Sequence, residues 1–461
     1  MPQLFEETVA AVPDRQWLLF EDDAYTYAEA RDRIAAAAVG LRRHGVAQGD
    51  LVLATARNDP RYVFLWLATA YIGAIYAGVD PRQTDTELRG LVGQVQPKLA
   101  VTDRNLDELF AKPGELDGAG PATHDDPAVL IPTSGTTARS KLVTQTHRAY
   151  AMAGEGFPWW LGISEDDRLM TSLPLFHINA PAYSVLGSVA ARASLVLLPR
   201  FSASGFLDSA RRYRATEFNA IGAMLEMLMR QPERPDDADN PLRLAYAGPT
   251  PPAERHLEFE RRFGLRLISG YAMSETSYGT VWAHGTRPYG TLGSPRQHPT
   301  LGQVNEARVN ADGELELRNP AVMKGYWGMP EETAQVLGPD GWLKTGDLVT
   351  ANADGTYTFV GRKKEVIRRR GENVAPAEIE EALFSHPDVV EVAVVGVPSE
   401  LSEEDIKAFV VLRHGSEAAF DELRDWASER LTPFKVPSQY EALDELPHTP
   451  TGRVAKHRLP T

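Results

Sequence analysis

The 461-residue chain contains no cysteine. That removes a disulfide framework, a cysteine nucleophile and any thiolate metal site from consideration. Positive charge is scarce: 48 Lys and Arg stand against 63 Asp and Glu, for a formal net charge of −15 and a pI near 5.3. Such a surface repels nucleic acid and anionic lipid, so neither is an expected partner. The Gly-Lys pair of a Walker loop is also missing. The opening residues MPQLFEETVAAVPD lack a basic-then-apolar layout, so no secretory signal is expected and a cytoplasmic setting is. No tandem repeat of fixed length is visible, which argues against a solenoid. One apolar stretch just reaches transmembrane length: Tyr62 to Val79, 18 residues without a charge between Arg61 and Asp80. Gly73 and Gly78 interrupt it, and Ala, Thr and Tyr outweigh Leu and Ile, so it reads as a buried helix turning into a buried strand over IYAGV rather than as a membrane span.

What remains is the composition of a soluble globular protein, 43% hydrophobic and 24% charged, in a chain long enough for two to four folding units. The first third alternates an amphipathic helix (Tyr27 to Arg43) with short apolar strands such as LVLATA and KLAVTD. The middle third continues with DRLMTSLPLFH, ASLVLLPRF, ATEFNAIGAML, LRLAYAGP and LRLISGYAMSET. Apolar runs that stop at Gly, Pro or His are how open α/β sheets place ligands at strand ends. The Met-rich run Ala223 to Met229 has helical spacing and reads as core. From Gly313 the pattern becomes short alternating strands bounded by Gly or Asp, which read as antiparallel hairpins. Past Gly361 a small α+β unit follows, with Pro376 opening a helix over AEIEEALF. The expected organisation is α/β: a large N-terminal body of layered sheets (residues 1–361) and a small α+β C-terminal lobe (residues 362–461).

One stretch concentrates phosphate-binding chemistry. In Ile131-Pro-Thr-Ser-Gly-Thr-Thr-Ala-Arg-Ser-Lys141, the hydroxyls of Thr133, Ser134, Thr136 and Thr137 crowd Gly135, and Lys141 follows. Glycine lets backbone wrap an anion, hydroxyls donate to its oxygens, and lysine adds a mobile positive charge. A plain Ser/Thr/Gly linker is the alternative. Four further stretches stand downstream. Gly270-Tyr-Ala-Met-Ser-Glu275 sets an aromatic, a hydroxyl and a carboxylate after a strand, and Thr345-Gly-Asp347 places a carboxylate in a turn. Gly361 opens ten residues of which six are Lys or Arg, and Leu446-Pro-His-Thr-Pro-Thr-Gly-Arg-Val-Ala-Lys456 lies near the end. Singly these read as core, turn, solvated strand and tail. Their order and spacing together are far harder to obtain by chance.

On these five stretches the chain resembles the adenylate-forming superfamily of acyl-CoA synthetases, adenylation domains and firefly luciferase, from about Leu18 to Leu459. Arg368 to Asn373 and Leu175-Phe-His-Ile-Asn look most like bacterial carnitine- or crotonobetaine-type CoA ligases. The resemblance implies an AMP-forming acid–thiol ligase using ATP, Mg²⁺ and coenzyme A on a small carboxylic acid. It also implies a distorted β-barrel portion in the body and a C-terminal lobe that is mobile about a hinge and serves the thiol half-reaction. The nucleotide would be held between body and lobe. Thr133, Ser134, Gly135, Thr136, Thr137 and Lys141 would cradle the β- and γ-phosphates. Gly248 and Tyr271 would flank adenine, Ser274 would lie by the α-phosphate, and Glu275 would ligate Mg²⁺. Asp347 and Arg362 would contact the ribose, Lys364 would be the hinge, His177 would border the acyl pocket, and Gly371 would line the pantetheine channel. Asn219, Gly222, Tyr246 and Ser277 to Gly279 are candidate pocket walls.

The chain departs from the family pattern at Ala138, Ser140 and Leu142, where Gly, Pro and Gly are usual. It departs more seriously at Arg453, where the family carries a catalytic lysine; arginine keeps the charge but offers a fixed fork in place of a point ammonium. The segment ahead of the hydroxyl-rich loop is short for the family. Other outcomes of the same resemblance stay open: a carrier-protein thiol or an amine as acceptor, nitrite activation as in an ATP-dependent diazotase, or an ATP-binding pseudoenzyme. A homodimer also stays open.

Overall fold

A computed structural model gives the architecture; it describes all residues except 117, 134–140, 249–250, 284, 370–371, 400–403, 417, 450–453 and 461, together with the side chain of residue 373. The chain divides into two compact units. The first comprises Met1–Ala307 and Leu317–Leu343, and the second Arg308–Glu316 and Lys344–Thr461.

The first unit holds two sheets layered with helices. In the nine-stranded sheet, strands Arg266–Met273, Leu244–Gly248, Glu217–Ile221, Arg168–Thr171, Ser194–Leu197 and Gln16–Phe20 run parallel as neighbours. An antiparallel strand, Thr276–Val281, extends one side. The six-stranded sheet orders Gly325–Tyr326, Lys141–Thr146, Pro127–Thr133, Ile75–Val79, Leu51–Thr55 and Leu99–Val101. Parallel strands buried on both faces need near-continuous apolar sequence, and LVLAT and IYAGV supply it. The uncharged run from Tyr62 accordingly forms the buried helix Pro60–Tyr71, capped by Asp59, and the buried strand Ile75–Val79. Among the described residues no helix is long and apolar enough to cross a membrane.

Helix Tyr27–Arg43 starts at a reciprocal capping box, in which Thr26 accepts from the Glu29 amide and Glu29 accepts from the Thr26 amide. Its inner stripe of alanines, Ile34 and Leu41 is buried. The Met-rich run forms helix Gly222–Met229 with Met224 and Met229 buried, but Met227 is 48% exposed. The expectation of plain core is therefore corrected at that position: a short helix packed by one side leaves its opposite side to solvent.

The second unit contains all but the first residue of strand Leu343–Ala351, its antiparallel partner Tyr357–Arg362, and the short hairpin Ile367–Arg369 with Glu372–Val374. It also has a three-stranded sheet in which Glu404–Leu412 lies between Val389–Pro398 and Gln439–Ala442. Helices Pro376–Phe384 and Phe420–Ser428 bury Ile379, Leu383, Leu423 and Ala427 into one small core with Val394 and Ile406.

Candidate functional site

Most of the residues singled out in the first unit stand at strand ends of the two sheets. Thr133 ends one strand and Lys141 begins its antiparallel neighbour, and the Thr133 hydroxyl donates to the Lys141 carbonyl at 3.1 Å. The loop they bracket, with Ser134, Gly135, Thr136 and Thr137, lies outside the described residues, as do Gly371 and Arg453. Gly248 ends strand Leu244–Gly248, and a Cβ there would meet the Gly270 carbonyl oxygen at 2.4 Å. Only glycine lets those two strand ends close so tightly. Tyr271 follows at once, half-buried, with its hydroxyl 3.9 Å from the Met273 sulfur.

Ser274 and Glu275 form the turn between strands Arg266–Met273 and Thr276–Val281. The turn is tied to the other sheet from two directions. Gln145 donates its side-chain amide to the Ser274 carbonyl at 2.7 Å, and the Met323 amide donates to the Glu275 carbonyl at 2.8 Å. The Glu275 carboxylate then accepts a hydrogen bond from the Tyr326 hydroxyl at 2.9 Å. The Lys141 ammonium lies over the same phenol ring, 4.7 Å from its centroid. One tyrosine therefore gathers the loop lysine and the turn carboxylate. Burial, and next the Glu275 charge, push the Tyr326 phenol far above its ordinary range, so it remains a protonated donor.

His177 is half-buried beside Phe176, ring centroids 4.5 Å apart, near the buried Asp80, whose carboxyl is held below its usual range against the cost of burial mainly by Arg82 and least by His177. Asn219 donates to Asn179 at 2.8 Å, so one expected wall residue is bonded to the segment that follows His177. Tyr246 and Ser277 meet at a residue the sequence reading passed over. Arg296 is 0% exposed. It donates to the Tyr183 hydroxyl at 2.6 Å, to the Ser277 carbonyl at 2.8 Å, to the Thr280 carbonyl at 3.1 Å and to the Tyr246 hydroxyl. The faces of Trp160 and Tyr183 lie 4.6 and 5.1 Å from its guanidinium carbon. Burial raises both tyrosines despite the neighbouring cation, so a buried positive charge rests among neutral phenols and carbonyls. Tyr326 and Arg296 were not legible as site residues: a Gly-Tyr pair and a lone arginine carry no motif, and only long-range folding shows what they touch.

In the second unit Asp347 is 0% exposed and pairs with Arg362, Oδ1 to Nε, at 2.7 Å. The strand register places them directly opposite each other. The turn before Asp347 is fixed by the Thr345 hydroxyl donating to the Leu315 carbonyl at 2.7 Å and by the Gly346 amide donating to Glu314 at 2.9 Å. Lys364 is exposed in the 3₁₀ turn Lys363–Glu365. Lys456, near Arg453 in sequence, has its ammonium 2.8 Å from both Glu365 and Glu380.

No cluster of three or more His, Asp or Glu suited to a metal exists among the described residues. A lone carboxylate such as Glu275 still fits Mg²⁺, which keeps several waters and is held by one or two carboxylates plus substrate phosphates.

Comparison with known proteins agrees with this geometry. The sequence profile of the AMP-binding enzyme family matches residues 5–327, and that of the AMP-binding enzyme C-terminal domain matches residues 378–453. A crotonobetaine/carnitine–CoA ligase of Salmonella paratyphi B is 30% identical over 514 aligned residues, covering 99% of this chain and 98% of that protein. The ATP-bound MatB structure from Rhodopseudomonas palustris superposes with a TM-score of 0.91 at 27% identity, over 99% of this chain and 97% of that one. The AMP complex of Bacillus subtilis MenE, an O-succinylbenzoate coenzyme A synthetase, gives 0.88 at 27% identity, over 100% and 98%. With one profile spanning well over half of the sequence and a full-length relative at this identity, the chain belongs to the AMP-binding enzyme family.

Proposed function

We propose that this protein is an ATP-dependent, AMP-forming ligase that adenylates a small carboxylic acid and transfers the acyl group to coenzyme A. The observation that carries the reading is the convergence of Lys141 and Glu275 on one phenol at the strand ends, in a chain whose full-length relatives include CoA ligases.

A carboxylate is a poor electrophile. Its oxygen attacks the α-phosphorus of ATP and the bond to the bridging oxygen breaks, giving an acyl-adenylate and pyrophosphate. Negative charge spreads over in-line oxygens, so placed cations do most of the stabilising. Lys141 is assigned to the leaving phosphates together with Thr133, Ser134, Gly135, Thr136 and Thr137. Glu275 is assigned to hold Mg²⁺, which when bound offsets phosphate charge and fixes phosphate geometry. Ser274 is assigned to the α-phosphate, Gly248 and Tyr271 to the adenine, and Asp347 with Arg362 to the ribose hydroxyls, for which a buried, arginine-held carboxylate is a suitable acceptor. The CoA sulfur then attacks the acyl carbonyl and AMP leaves. For this step residues 362–461 are assigned the thiol half-reaction, with Lys364 as hinge and Gly371 by the pantetheine. His177 is assigned to the acid pocket and Arg453 to the charge the family's lysine supplies. ATP and CoA as substrates suit a cytoplasmic enzyme.

The test pairs ATP–pyrophosphate exchange across a panel of acids with mass detection of acyl-CoA. Acid-dependent exchange followed by acyl-CoA is the expected result. Exchange without acyl-CoA would replace CoA by another acceptor, and tight ATP binding with no exchange would overturn ligase activity.

A further inference from the structure

We propose that Tyr326 is a positioning residue for the metal–nucleotide site: it orients the Glu275 carboxylate through its hydroxyl while its ring keeps the Lys141 ammonium from pairing with that carboxylate. The inference rests on the assignment of Glu275 and Lys141 given above, and it concerns a residue that the assignment does not use.

The backbone around Tyr326 is built to fix this side chain. Gly325 has φ +140°, a conformation that L side chains rarely adopt, and a Cβ there would strike the Thr333 side chain at 2.8 Å. That same threonine hydroxyl accepts the Tyr326 amide at 2.9 Å. On either side, the Lys324 amide donates to Thr144 at 3.0 Å and the Trp327 amide to Leu142 at 2.8 Å, which attaches the short strand to the one that Lys141 begins. Two residues before Gly325, Met323 donates to the backbone of Glu275 itself. Tyr326 is thus bonded through its own segment to both elements whose side chains it touches, and it is 8% exposed.

The two side-chain contacts reinforce each other. A cation on the ring face draws electron density from the phenol and makes its O–H a better donor, and that O–H points at a carboxylate. An ammonium and a carboxylate that contact the same phenol would be drawn toward an ion pair if the phenol were absent, leaving both less available to Mg²⁺ and phosphate. The phenol engages each with a different part of itself and so holds the charges apart. Outer partners of this kind commonly set how well a metal-ligating carboxylate binds.

Equilibrium binding by titration calorimetry, with ATP alone and with Mg·ATP, separates this role from a general structural one. Manganese paramagnetic resonance in the presence of ATP provides a second readout independent of turnover. Tyr326→Phe keeps the ring and loses the hydroxyl, so Mg·ATP binding should weaken by about tenfold while metal-free ATP binding changes by less than about twofold. Tyr326→Leu removes the ring as well and should also weaken metal-free ATP, because Lys141 is released toward Glu275. In a Glu275→Gln background Tyr326→Phe should add nothing. Unchanged Mg·ATP affinity in Tyr326→Phe, or equal loss with and without metal, overturns the proposal. Absence of Mg·ATP binding in the unsubstituted protein would instead strike the assignment of Glu275 on which it stands.

Discussion

At the scale of single residues, charge placement decides what this chain can do. Glu275→Ala and Asp347→Ala should each lower ATP–pyrophosphate exchange by at least about a hundredfold, the scale of losing a positioned charge in the nucleotide site. Near-normal exchange in either variant would remove that residue from the site. Arg453→Lys should leave adenylation unchanged or faster, since a point ammonium reaches between carboxylate and phosphate more readily than a planar fork. A collapse in rate would mean that arginine has a role of its own. Lys456 is no ready substitute, because its ammonium is already engaged by Glu365 and Glu380. Glu275, Asp347 and Lys141 stood out as candidates because each lies in a short motif and the motifs follow one another in a characteristic order along the chain. Tyr326 was not, because it lies 51 residues from the carboxylate it orients and has no signature of its own.

At the scale of elements, close approach rather than propensity explains several choices. Gly40 sits inside helix Tyr27–Arg43, where glycine is ordinarily unfavourable. A Cβ there would lie 2.3 Å from the Leu109 carbonyl oxygen, so the glycine is what lets the turn Leu106–Leu109 rest on the helix. Gly40→Ala should therefore destabilise the protein by about 1 to 3 kcal/mol, against the trend for exposed helix positions. Urea unfolding measures this, and a stabilised variant would refute the contact. The strand and helix periods were readable from the apolar pattern, as helix Tyr27–Arg43 illustrates. That pattern gave no warning that Met227 would face solvent, since helical spacing alone does not say which side of a short helix meets the sheet.

At the scale of the whole molecule, burial couples stability to pH. His147 begins a long buried helix, and burial first, then the nearby chain amino group, lower its pKa from 6.5 to about 4. In the unfolded chain the ring takes a proton at the ordinary value, so between these pH values the unfolded state binds more protons than the folded one. The contribution is present above about pH 6.5 and is lost as pH falls toward 4. Linkage puts the full loss at about 3 kcal/mol and the part lost by pH 5 at about 2 kcal/mol. Urea midpoints compared near neutrality and near pH 5 should fall less in His147→Gln than in the unsubstituted protein. An equal fall would exclude His147 as the cause.

The sequence alone determined the layered α/β body, the small α+β unit after it and the family, because apolar periodicity and glycine-bounded strand ends are local properties that survive in one dimension. It also singled out the residue types proposed for phosphate, metal and ribose. The tertiary structure decided which of those residues meet. Lys141 and Glu275 belong to different sheets, and only the packing of Gly325–Tyr326 on the strand that Lys141 begins brings both to one phenol. The burial of Arg296 among Tyr183, Tyr246 and two backbone carbonyls was likewise set by contacts over long sequence separations, which no local pattern encodes.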